Sequence, residues 1–225
     1  MQGGFIEDQT WPEVKRQIDA GLPVLLPIGA AAKGHGHHLP MQTDYLTARA
    51  LAQRVAQRIP VLVAPVIGFG YYPAFVGFAG SQSISAATFQ AMLTELMVLS
   101  IDQGARKLLL LNTGVSTEKS VDAAATAIER LRGVTPAVMH MRFLGKSAEG
   151  VIENRDGGHA DERETSMMLA IAPQLVHLER ATSEQSEPFE RSGATGDPRQ
   201  ATAAKGEALL EAMVEELVAA VRKLN

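Results

Sequence analysis

Apolar residues follow two patterns along this chain. Continuous apolar runs at 23–28, 61–67, 107–111 and 136–143 read as strands buried on both faces. Between them, 44–58, 86–103 and 118–132 repeat apolar residues every three or four positions, as one face of a helix does. Ser85 supplies an N-cap for the second of these and Gly104 a stop, while Gly133 closes the third. Strand and helix alternating at this spacing build βαβ units. The expected fold is therefore α/β, a mainly parallel sheet with helices on both faces, with residues 1–225 forming one domain. A polar stretch rich in Gly, Pro and Ser at 183–200 reads as a long loop. The last segment, 201–224, is amphipathic, with a stripe through Leu209, Met213, Leu217 and Val221 suited to pack on the sheet or on another copy. In such a sheet the ligand crevice lies past the carboxyl ends of the strands, which directs attention to the loops after Ile28, Ile67, Leu111 and Phe143.

Composition narrows the chemistry. With 46% hydrophobic and 20% charged residues the chain lies far from the disordered regime. A net charge of −4 with the 21 Lys and Arg scattered leaves no broad basic face, which excludes nucleic acid as a partner. Absence of cysteine removes thiolate ligands and thiol nucleophiles, so any metal must be held by His and carboxylate. No leader pattern opens the chain and no uncharged apolar window approaches about eighteen residues, so a cytoplasmic protein with no membrane span, acting on a small molecule, is expected.

The segment PIGAAAKGHGHHLPMQTDY, 27–45, brings three of the six histidines and an aspartate into the loop after the first strand. His35, His37 and Asp44 are candidate metal ligands, since imidazole and carboxylate suit zinc or manganese; alternatively, Asp44 caps the helix it precedes. Tyr71, Tyr72 and Phe75 follow Gly70, where they would wall a pocket for a small ligand or pack in the core. Ser116 or Thr117 would cap the helix starting near Glu118, whose N-terminus can also bind an anionic oxygen of a substrate. His140 reads as a satisfied core residue, His177 as peripheral and Trp11 as structural.

The run HGHHLP followed by TD resembles the signature of the creatininase family, whose motif glutamate, first histidine and final aspartate are metal ligands. GHADERETS at 158–166 and GATGDPRQAT at 193–202 resemble two further elements of that family. The resemblance implies a three-layer α/β/α fold, assembly into homo-oligomers (hexamers), and hydrolysis of a small amide or cyclic amide at a two-metal site. It makes His35 and Asp44 ligands, His38 the second motif histidine, and His159 and Glu164 catalytic residues. It also shows losses. Lys33, or Ala32 given one extra residue in the loop, stands at the glutamate position, and in LLNTGVST Gly114 and Ser116 stand at the positions of a histidine and a glutamate. The expectation is therefore an altered site holding one divalent ion, Zn or Mn, weakly, or none. Lys33 is then a candidate to neutralise Asp44 and act as electrophile, with His37 a substitute ligand. Two alternatives stay open: a metal-free enzyme using His159 for lactone opening or isomerisation, and a non-catalytic ligand-binding or assembly subunit.

Overall fold

A computed structural model describes residues 3–154 and 156–224. Five parallel strands form one sheet: β1 (Gly4–Phe5), β2 (Val24–Ile28), β3 (Leu62–Val63), β4 (Leu108–Asn112) and β5 (Ala137–His140), in the order β1-β3-β2-β4-β5. Around it lie α1 (Trp11–Asp19), α2 (Thr43–Arg58), α3 (Ala86–Asp102), α4 (Glu118–Arg132), α5 (Glu162–Ile171), the one-turn α6 (Phe189–Ser192) and α7 (Ala203–Leu224). No described helix is long and apolar enough to cross a membrane.

Alternation along β2 and β4 divides the core in two. Leu25, Leu109 and Leu111 face α2 and α7, while Val24, Leu26, Leu108 and Leu110 face α3 and α4. Both strands are buried at every position, so they read as continuous apolar runs rather than alternating ones. The stripe of α7 is consumed by the first of these layers, so of its two expected partners it packs on the sheet and its covering helices. After β2 the chain turns to β3 on one side; after β3 it crosses to β4 on the other. This reversal opens a crevice between the carboxyl ends of β2 and β4.

Several elements differ from the sequence expectation. The run 61–67 forms only a two-residue strand, because Pro65 has no N–H to donate to the ladder. The chain leaves the sheet after Ala64 and rejoins it through a single bridge between Ile28 and Ile67. The run 136–143 is strand only to His140 and then tightens into a 3-10 turn, Met141–Phe143. The 183–200 loop contains α6, and the last helix begins at Ala203. Trp11, expected to be structural, is 80% exposed on the first turn of α1.

Candidate active site

The loop from Gly29 to Gln42 folds over the start of α2, and backbone contact sets its path. A Cβ at Gly29 would lie 2.2 Å from the Asp44 carbonyl oxygen, so only glycine lets the loop pass this close. The Thr113 hydroxyl, 3.0 Å from both the Ile28 and the Asp44 carbonyl oxygens, ties β4 to the same corner. Asp44, on the first turn of α2, is thereby turned inward and buried. Its Oδ2 lies 2.6 Å from Lys33 Nζ and its Oδ1 3.0 Å from His35 Nε2. His35 Nδ1 donates to the Lys33 carbonyl oxygen at 2.8 Å, so both ring nitrogens face acceptors and the ring is fixed. Lys33 is itself buried, its ammonium 5.0 Å from the centroid of the Phe75 ring. Burial alone would raise the Asp44 pKa. The charges of Lys33 and His35 and their hydrogen bonds outweigh it and hold the carboxyl well below the usual range.

His159 enters from the segment before α5. Its Nε2 donates to the Gly34 carbonyl oxygen at 2.7 Å, leaving Nδ1 with a free lone pair 3.7 Å from Glu164 Oε2. The ring lies against those of His35 and Phe75, with centroids 4.5 and 4.4 Å away. Burial and the neighbouring His35 and Lys33 charges push its pKa well down, so the ring is neutral at pH 7. Glu164 accepts the Ala160 N–H at 2.6 Å and is pushed up to about 7, chiefly by burial. Ala160 takes φ 51°, a left-handed conformation sparse for residues with a Cβ, between the two functional side chains. Thr195 secures this turn: its hydroxyl accepts the His159 N–H at 3.1 Å, and its N–H donates to the His159 carbonyl at 2.8 Å. The third family-like stretch, 193–202, thus positions His159. Asp161 caps α5, accepting the Glu164 N–H at 3.0 Å.

A cavity of about 450 Å³ opens over these groups, walled by Lys33, Phe75, His159 and Glu164, by Thr113, Val115 and Ser116 ahead of α4, and by Arg142 and Arg163. It lies past the carboxyl ends of β2, β4 and β5, where a doubly wound sheet places its ligands. Among the described residues, one group could hold a metal ion: His35, His159 and Glu164, with a ligand atom of each within 4.8 Å of the others. Three protein ligands of these types suit a catalytic ion with an open position, and ligation by His35 would exchange one of its present contacts for the ion.

The structure brings together Lys33, His35, Asp44, His159 and Glu164 and separates the rest. His37 is exposed, 3.3 Å from the Arg191 carbonyl oxygen. Gly36, at φ 64°, turns the chain so that His37 points away from His35. His38 instead contacts the Thr165 hydroxyl at 2.8 Å, and burial lowers its pKa to about 4. Tyr72 lies beneath the site with its hydroxyl donating to the Gln82 carbonyl at 2.6 Å, and Tyr71 packs against the α3 layer, so Phe75 is the aromatic that walls the cavity. Ser116 lines the cavity but is exposed, whereas the Thr117 hydroxyl turns back to Asn112 and Gly114 rather than capping α4. His140 bonds Asn112 and Asp122 at the sheet edge, half-buried rather than in the core. Sequence reasoning missed Thr195, Arg142 and Arg163; a threonine beside the glycines of 193–196 was the one local signal of a clamp.

A sequence model of the Creatininase family, described as creatinine amidohydrolase, matches residues 7–221. Creatinine amidohydrolase of Pseudomonas putida is 29% identical, the alignment spanning 97% of this chain and 96% of that protein. The mycofactocin precursor peptide peptidase of Mycolicibacterium smegmatis is 30% identical over 88% of this chain and 84% of its own. Among solved structures, a mutant creatininase of Zn-Zn type superposes with a TM-score of 0.86 at 27% identity, covering 99% of this chain and 98% of the other.

Proposed function

The chain belongs to the creatininase family, and from that premise we propose that it hydrolyses a C–N bond at a carbonyl group of a small amide, cyclic amide or short peptide held in the 450 Å³ cavity. The observation that carries this reading is the approach of His35, His159 and Glu164, with a ligand atom of each within 4.8 Å of the others, beside a cavity that His159 and Glu164 line. These residues would hold one divalent ion, zinc or manganese, and a bound ion of this kind polarises a carbonyl and acidifies a water molecule. The relatives support a carbonyl–nitrogen bond as target, since one is named for creatinine and another for a precursor peptide.

The chain's own groups prepare that chemistry. Donation of Nε2–H to Gly34 fixes the His159 tautomer, and burial keeps its ring neutral, so Nδ1 is available to ligate or to take a proton. Lys33 places a fixed positive charge beside the cavity for the negative charge that develops on a carbonyl oxygen. A small-molecule substrate and a homo-oligomer complete the proposal.

A second reading is favoured by the distance of 3.7 Å from His159 Nδ1 to Glu164 Oε2: without a metal, the two would shuttle a proton in lactone opening or isomerisation. One assay separates the readings. Purified protein is offered a cyclic amide, short peptides and a lactone, with and without chelator, and product is followed by mass spectrometry. Amide cleavage abolished by chelator, restored by zinc or manganese, and lowered at least ~100-fold by His159→Asn is expected. Lactone turnover indifferent to chelator but lost in His159→Asn supports the second reading; no turnover and no metal binding contradicts both.

A further inference from the structure

The family's Zn-Zn relative holds two ions, whereas we propose that in this chain the Lys33 ammonium takes the place of one of them, so that a single divalent ion at most is bound. The inference rests on the single-ion reading above and adds to it a cation built into the chain. Three observations carry it. Both oxygens of Asp44 are engaged, Oδ2 by Lys33 at 2.6 Å and Oδ1 by His35 at 3.0 Å. Lys33 is only 5% exposed and backed by the Phe75 ring, so its ammonium is fixed in a built position. Finally, the position from which a further ligand would reach Asp44 has no side chain. A Cβ on Gly114 would stand 3.9 Å from Asp44 Oδ2, yet the gap there, about 10 Å³, has Asp44 as its sole carboxylate and no histidine among its described lining residues. A dication brought to the Oδ2 side of Asp44 would find that one carboxylate and a lysine ammonium in contact with it, while His35, on Oδ1, is shared with the His159 and Glu164 group; both features oppose its binding.

The substitution changes the chemistry available. An ammonium attracts a developing negative charge and donates hydrogen bonds, but it does not acidify a water as a metal ion does. One corner of the site therefore contributes charge and the other is left to supply the nucleophile.

The test counts ions. Parent and Lys33→Glu proteins are dialysed against zinc or manganese, and bound metal is measured by elemental analysis. One ion per parent chain and one more in Lys33→Glu, where a second carboxylate joins Asp44, is the expected result. Two ions in the parent, or no gain in Lys33→Glu, overturns the inference. No ion in the parent with one in Lys33→Glu defeats the single-ion reading of function but upholds the lysine's role. Should Lys33→Glu fail to fold, electron paramagnetic resonance of the manganese-loaded parent decides: a spin-coupled pair overturns the proposal, and its absence with manganese in excess upholds it.

Discussion

On one side of the His35 ring, Asp44 meets the Lys33 ammonium at 2.6 Å; on the other, Glu164 meets only the Ala160 N–H and the distant Nδ1 of His159. The two carboxyls are both buried, at 2% and 8% exposure, yet their pKa values are driven in opposite directions. Burial raises both; what separates them is the fixed cation beside Asp44, which outweighs it there and has no counterpart in contact with Glu164. The Asp44 corner is electrostatically complete within the chain, whereas the Glu164 corner is incomplete and opens on the cavity, which is where an external cation or proton would be used.

The largest way to break this contrast is Lys33→Met. It leaves Asp44 buried without its cation and should cost about 3–5 kcal/mol in urea unfolding, with His35 displaced in the crystal. An unchanged midpoint would mean that the ammonium does not hold Asp44. Next comes the pH dependence of the other corner, measured without metal. Glu164 has a folded pKa raised to about 7 from 4.5, so its contribution is present below pH 4.5 and is lost as pH rises through 7. Glu164→Gln should remove that loss, gaining on the parent by about 3 kcal/mol between pH 4.5 and 7.5. A parallel pair of stability curves would show that Glu164 titrates normally. Asp161→Ala removes the α5 cap behind Glu164 without touching Lys33, and should cost about 1 kcal/mol in thermal unfolding while weakening metal retention. The smallest effect belongs to His37→Ala. Exposed and turned away from both corners, it should change stability by less than about 0.5 kcal/mol and leave metal binding unchanged, a result that equilibrium dialysis checks.

Much of this arrangement was legible in the residues. The apolar runs of β2 and β4 announced strands covered on both faces, and Ser85 and Gly133 bounded helices where expected, the Ser85 hydroxyl accepting the Thr88 N–H. The alternation that splits these runs into two core layers was hidden because 24–28 and 108–111 are apolar at every position. β1 escaped notice because two residues on a sheet edge carry no periodicity, and α1, opened by a capping box of Thr10 and Glu13, went unread with it. At the site, the family-like motifs held Lys33, His35, Asp44, His159 and Glu164, which the structure sets beside one another. They could not reveal the path of the chain: the positive φ of Gly36 that turns His37 outward, or the 3-10 turn that follows Tyr72 and carries Phe75 over His159. Nor does local sequence show that Thr195, distant in the chain, clamps the His159 backbone.

The central claim is that cations are divided between the two corners: one built in as Lys33, one taken up by His35, His159 and Glu164. Anomalous scattering from crystals soaked in zinc measures this directly. The account predicts one metal peak bounded by His35, His159 and Glu164, with Lys33 still on Asp44. A peak on Asp44 with the lysine displaced, or none at the three-residue group, would contradict it.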